Sequence, residues 1–222
     1  MRGDGTQGVS IIAINTALTF IALDVNYMRF VDSAQFLPAS LETLVQNLVK
    51  ACDDKHDRFV HTRRHLGDND LLFKKGIFPY EYFDSVDKFD ETCLPPIQAF
   101  YSHLKDQGVT PEDYKHAQNV WNTFNCKTFK DYHDLYLKMD VLLLADVFQD
   151  FRLTCLANYR LDCAHYLTLP SFAWDSMLKF TKIELELIAD VEMELFISSS
   201  IRGGISTISH RHAVANNPYL PR

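Results

Sequence analysis

A basic excess is the first thing this chain lacks. Its 222 residues hold 22 Lys and Arg against 29 Asp and Glu, a formal charge of −7, which excludes a uniformly basic protein that coats nucleic acid. Cys-x-x-Cys pairs are lacking too. The five cysteines, Cys52, Cys93, Cys126, Cys155 and Cys163, are odd in number and far apart, which argues against a zinc ribbon or a disulfide framework and suits a reducing compartment. There is no internal repeat and no low-complexity tract. The apolar stretch Val9–Leu23 is interrupted by Asn15 and Thr16 and is followed by no small-residue cleavage site. It is too short and broken for a signal peptide or a membrane span, so no membrane partner and an intracellular setting are expected. Acidic residues stop at Glu194. Beyond it stand Arg202, Arg211 and Arg222 with His210 and His212, a locally basic edge on an acidic body.

What is present is enough for a sizeable core, at 47% hydrophobic residues. Periodicity predicts strands at Val9–Ile14, Leu18–Val25 and Asn26–Val31. A helix starting near Ser40 carries Leu41, Leu44, Val45 and Leu48 on one face. Mixed charges over Ala51–Asp70 predict an exposed loop, in which His61 and His65 read as part of a solvated face. Pro95 and Pro96 predict a helix bearing Ile97, Phe100, Tyr101 and Leu104 and ended by Gly108. Thr110-Pro111-Glu112-Asp113 opens the next helix, with Tyr114, Ala117, Val120, Trp121 and Phe124 as its core stripe. Another begins at Leu169-Pro170-Ser171.

Within the apolar run Leu135–Phe151, Tyr136 and Asp140 lie four residues apart and share a helical face. A carboxylate among Val141, Leu142, Leu143 and Leu144 is buried only where a cation, a metal or hydrogen bonds receive its charge. Such carboxylates hold the ions of two-metal nucleases, and a tyrosine one turn away is placed to orient the attacking water. An aspartate at a helix edge, paired with Lys138 or facing water, is the plain alternative.

The text from Tyr132 to Phe148, with Tyr136-Leu137-Lys138-Met139-Asp140 at its centre, closely resembles the third exonuclease motif of family B DNA polymerases of the protein-primed branch. The resemblance runs from about Phe30 to Tyr219. It includes Asp32-Ser33 with Phe36-Leu37-Pro38, then Lys75-Gly76-Ile77-Phe78-Pro79-Tyr80, then Ile201-Arg202-Gly203-Gly204. It implies an α/β fold similar to ribonuclease H, a mixed sheet flanked by helices with a helix-rich C-terminal half. Residues 1–197 would be part of a 3′–5′ exonuclease domain and residues 198–222 a linker toward an absent polymerase palm.

The same resemblance implies roles. Asp140 would be a metal ligand and catalytic with Tyr136, and Lys75 would help position the scissile phosphate. Tyr80 and Ser33 would meet the single-stranded 3′ end, while Arg202, Gly203 and Gly204 would contact the template strand. The family tyrosine is replaced by Ile201, which removes any stacking or hydroxyl contact there. Two Mg²⁺ or Mn²⁺ ions, primer–template DNA, dNTPs and a terminal priming protein are the expected cofactors and partners of the parent enzyme.

Asp190-Val191-Glu192 spells the Asp-x-Glu of a first exonuclease motif but follows Asp140 by fifty residues instead of preceding it, so it reads as surface charge on a helix. Asn26–Asp32 approximates a second motif, one residue out of register. With the Asp-x-Glu and the palm carboxylates missing, the chain reads as an internal piece of a polymerase, inactive alone. A free-standing or degenerate nuclease, or a catalytically dead DNA-binding remnant, are the alternatives.

Overall fold

A computed structural model describes residues 9–13, 20–25, 28–51 and 55–201. The chain divides into two compact units, Met1–Lys182 and Ile183–Arg222.

The first unit opens with strands β1 (Val9–Ala13), β2 (Phe20–Val25) and β3 (Met28–Val31), which pair antiparallel in the order β1-β2-β3. Leu23 lies opposite Ile11 on one side and Phe30 on the other. The three strands stand close to their expected positions, but the expected mixed sheet is not seen among the described residues. The reason lies in the connections. Only the intervals 14–19 and 26–27 separate these strands, long enough for hairpins and too short for the crossover that parallel neighbours need.

Helix α1 (Leu41–Lys50) starts on Ser40, whose hydroxyl accepts from the Thr43 amide at 3.2 Å, and it buries Val45 and Leu48. The charged stretch after it is not the expected loop. It holds α2 (Lys55–Arg58), α3 (Val60–Leu66) and a 3-10 turn at Asp70–Phe73. No side chain at the start of α3 caps it locally, which is why the sequence hides it. The cap comes from 84 residues away. Asp146, 1% exposed, accepts from the His61 amide at 2.7 Å, the Thr62 amide at 2.9 Å and the Thr62 hydroxyl at 2.7 Å. One helical turn beyond Asp146, Asp150 pairs with Arg58. Between these contacts Phe59 is fully buried against Phe73, ring centroids 4.9 Å apart, in a cluster with Val45, Leu48, Leu143 and Val147.

The helix expected after Pro95 is also replaced. Only a 3-10 turn, Ile97–Phe100, forms. Ser102 and Gln107 then exchange two backbone hydrogen bonds, at 3.0 and 3.3 Å, around a short loop. Asp106 takes a left-handed φ of 50° there, which ends any helix. Leu104 is left exposed.

Helix α4 (Pro111–Thr123) begins on Thr110 and buries Ala117 and Val120, as its stripe predicts. Helix α5 (Phe129–Tyr159) follows, started by a reciprocal cap in which Thr128 and Asp131 satisfy each other's backbone amides. Its 31 residues span about 46 Å at 1.5 Å per residue. Three clusters lie along it: one around Phe129, Tyr132, Leu135 and Met139; one around Leu143 and Val147; one around Cys155, with Phe36, Cys163 and Phe172. Phe172 belongs to α6 (Leu169–Thr181), which starts where the sequence places it. The helix-rich C-terminal half is thus as expected.

In the second unit, α7 (Val191–Ser200) begins on Asp190, whose carboxylate accepts from the Glu192 amide at 3.1 Å. Asp190 and Glu192 are exposed, so this Asp-x-Glu marks a helix start, as read from its position. Among the described residues no helix is long and apolar enough to cross a membrane.

The burial of Asp146 sets a stability test. Asp146→Ala leaves two amides and a hydroxyl without their acceptor and should destabilise the chain by about 3 kcal/mol in urea titrations, whereas Thr62→Val, which keeps both amide bonds, should cost about 1 kcal/mol. A smaller loss for Asp146→Ala than for Thr62→Val would mean that α3 is held by Phe59 instead.

Candidate excision site

The reciprocal cap at Thr128 fixes the register of α5, so Tyr132, Tyr136 and Asp140 follow one another up one face of the helix. The segment Lys74–Tyr80 is held against that face by contacts to α4 and α5. Lys74 Nζ pairs with Asp113 of α4 at 2.6 Å. The Tyr132 hydroxyl donates to the Ile77 carbonyl at 2.7 Å. Phe78 stacks on Phe129 and on Tyr136, at centroid distances of 5.4 and 5.2 Å. Gly76 lies so close to the Tyr136 ring that a β-carbon there would come within 3.1 Å of Cδ2.

These contacts gather four of the expected residues. Tyr136 is buried beneath Tyr80, and their hydroxyl oxygens are 2.5 Å apart. Lys75 Nζ is 3.9 Å from Asp140 Oδ2, an ion pair too long for a hydrogen bond. Asp140 Oδ1 is buried and has no hydrogen-bond partner among the described residues.

The electrostatics follow from that geometry. Burial raises the Asp140 carboxyl above its usual range, against the opposing effects of the Tyr136 hydroxyl and the Lys75 charge. Burial, the Tyr80 hydroxyl and the Asp140 charge together push the Tyr136 phenol well above its ordinary value. Tyr136 therefore remains a neutral hydroxyl at physiological pH. The unpartnered Oδ1 fits a divalent cation, which is coordinated by oxygen lone pairs and needs no hydrogen from the protein. Among the described residues no group of three or more His, Cys, Asp and Glu side chains is placed to hold a metal ion.

Ser33 stands elsewhere. It follows Asp32, whose carboxylate accepts from the Ala34 amide at 3.0 Å. It lines an apolar groove of about 440 Å³ with Arg29, Val31, Phe36 and the α5 residues Val141, Leu144 and Phe148. That wall begins one residue past Asp140, yet the four-residue cluster does not line the groove. Arg202, Gly203 and Gly204 lie outside the described residues.

Sequence reasoning passed over Asp146 as a candidate, although it stands in the same apolar run as Asp140 and invites the same question about its charge. The structure answers it with a helix cap. Gly76 and Phe78, which seat Tyr136, were visible only as parts of a motif.

The family model described as DNA polymerase type B, organellar and viral, matches residues 9–219. No curated protein and no solved structure matches the chain. Enzymes of that family are DNA-directed DNA polymerases, whose ligands are primer–template DNA, dNTPs and divalent metal ions. With that match spanning nearly every residue, from β1 through α7 and beyond, the chain belongs to the organellar and viral type B DNA polymerases.

Proposed function

We propose that this chain carries part of the 3′–5′ proofreading exonuclease of a protein-primed type B DNA polymerase, with Asp140 as one of its metal-holding carboxylates. Residues 1–197 would belong to the ribonuclease H-like exonuclease domain and residues 198–222 would lead toward the palm.

One contrast supports this reading above the rest. Helix α5 carries two carboxylates in the same apolar run. Asp146 has every demand met by three donors, whereas Asp140 keeps a buried oxygen without any donor among the described residues. A buried acid that is fully hydrogen-bonded is structural; one left short of partners at a raised free energy needs another explanation. Two bound Mg²⁺ or Mn²⁺ ions would neutralise charge on the attacking and leaving oxygens of a phosphodiester. Asp140 would hold one of them, with further carboxylates supplied by parts of the polymerase beyond this chain. Tyr136, neutral and fixed in place, would orient the attacking water. Lys75, only loosely paired with Asp140, would be free to turn toward the scissile phosphate. The single-stranded 3′ end would approach by Tyr80 and the Ser33 groove, and Arg202 with Gly203-Gly204 would meet the primer–template. With one such carboxylate among the described residues, residues 1–222 alone are not expected to cut DNA.

In the complete polymerase, Asp140→Ala should lower excision of a single-stranded 3′ end by about a hundredfold or more and leave nucleotide incorporation nearly intact. Equal loss of both activities would indicate a folding defect and remove the reason to assign Asp140 to excision.

Asp140→Asn should at the same time stabilise the isolated chain in metal-free buffer. A carboxyl whose folded pKa is raised binds its proton more tightly folded than unfolded, so its ionisation opposes folding once the pH exceeds the unfolded value of 3.8. The gain in melting temperature should therefore be present at pH 7 and vanish as the pH falls below 3.8. A destabilised Asn variant at pH 7 would show that Asp140 serves the fold.

Arg202→Ala in the full enzyme should weaken primer–template binding and reduce the slope of log affinity against log salt by roughly one unit. An unchanged slope would leave Gly203-Gly204 as a turn without a phosphate contact.

A further inference from the structure

Helices α5 and α6 enclose a groove of about 690 Å³ that is lined by none of the excision cluster. Phe151, where its lining begins on α5, stands three turns past Asp140, about 16 Å along the axis. Aromatic rings make much of the wall, namely Phe151, Tyr159, Phe172 and Phe180. Phe172 is 3% exposed and meets Tyr159 edge-on at 6.0 Å, whereas Phe180 is 75% exposed. One hydroxyl on that wall is left over. Ser176 is 4% exposed, and its Oγ has no hydrogen-bond partner among the described residues. A helical serine or threonine can donate to the carbonyl four residues back, as Thr181 of the same helix does to Met177 at 2.7 Å. Ser176 does not. A donor and an acceptor thus stand unused in a cavity of the size that small ligands occupy, and Asn158 adds a carboxamide to the same lining. No acidic residue lines the groove. The residues that follow its lining at the ends of the two helices, Arg160 and Lys182, are basic and exposed, and Lys179 ties those ends together by donating to the Arg160 carbonyl at 2.8 Å.

We propose that the groove between α5 and α6 is a binding site for one deoxynucleotide, separate from the excision site and independent of the exonuclease reading. The base lies against the aromatic wall, its edge bonds the Ser176 hydroxyl and the Asn158 carboxamide, and its phosphate turns outward to Arg160 and Lys182. A nucleobase has both a flat face that stacks on aromatic rings and an edge of donors and acceptors. An aliphatic chain would leave Ser176 unsatisfied. The absence of acids from the lining and the cations beyond it favour an anionic ligand. In a type B DNA polymerase such a nucleotide comes either from an unpaired strand or from the free pool, and both present the same base and phosphate.

The test is methyl NMR of the 222-residue chain labelled with ¹³C at methionine, in metal-free buffer. Met177 lines the groove and Met139 adjoins Asp140 in the chain, so the two methyls report the two sites separately. A short oligothymidylate should shift the Met177 methyl, and an abasic strand of the same length should not. The midpoint of that shift should move to a concentration about fivefold higher in Ser176→Ala, the loss of one hydrogen bond, and about tenfold higher in Phe180→Ala, the loss of one stacking ring. Without DNA, Ser176→Ala should melt no lower than the unaltered chain, because it removes a hydroxyl that has no partner. Thymidine monophosphate giving the same shift with the same two losses would identify the ligand as a free nucleotide; a shift from the strand alone would identify it as a residue of an unpaired strand. An equal shift from the abasic strand, no shift from either thymidine probe, or a midpoint unmoved in either variant would overturn the proposal. A lower melting temperature for Ser176→Ala would assign the hydroxyl to the fold and overturn it as well.

Discussion

The Asp146 carboxylate is the constraint on which the rest of the first unit depends. Helix α3 has seven residues, two of them arginines, and no cap of its own; a helix that short does not persist unaided in water. Three hydrogen bonds from its first turn to one buried acid on α5 give it a fixed end. Once docked, it seats Phe59 between α1 and α5 and closes the cluster that Val45, Leu48, Leu143 and Val147 share. The middle of α5 is thereby immobilised from two sides, and the face bearing Tyr136 and Asp140 inherits that rigidity.

Burying a carboxylate requires compensation, and the two acids of α5 differ in whether they receive it. Around Asp146 the compensation is complete and local to the fold. Around Asp140 it is partial: a lysine at 3.9 Å and a neutral phenol offset some of the desolvation, and one oxygen receives no hydrogen bond from the described residues. The same helix thus holds an anchor and a strained site less than two turns apart. Such an arrangement suits an active site, because the stable acid keeps in place the one that is not stable by itself.

Much of the fold was legible because its signals are short in range. Ser40, Thr110 and Thr128 are each hydroxyl residues that cap the helix they precede, and the three strands stand close to where the apolar runs place them. What was not legible depends on distant residues. Helix α3 is capped from 84 positions away, so the mixed charges of residues 51–70 look like a loop. Leu104 looked like one face of a helix until a left-handed Asp106 turned the chain back. In the site, Tyr136 and Asp140 could be paired by helical spacing alone. Lys75 and Tyr80 could not: their places beside Asp140 and Tyr136 are set by the Tyr132 bond to Ile77 and the stack of Phe78 between two aromatic rings, and before the structure only family resemblance joined them. Ser33 was expected near the strand, and it lies in a groove next to the cluster without joining it.

The contact between Tyr80 and Tyr136 spans 56 residues of chain, and that length governs when the site comes into being. During synthesis the Lys74–Tyr80 segment is made well before α5 exists, and until α5 forms it has neither the Tyr132 hydroxyl nor the Phe129 and Tyr136 rings to rest on. Closing an interval of that size is an entropic barrier that no local turn lowers; it is offset only when the clusters along α5 condense together. The aromatic seat of the Tyr136–Asp140 cluster is built from the same rings as the core, so cluster and core should form in one cooperative step. A chain with a half-formed interior would have no partly built site, and the cluster around Asp140 would be completed by folding itself.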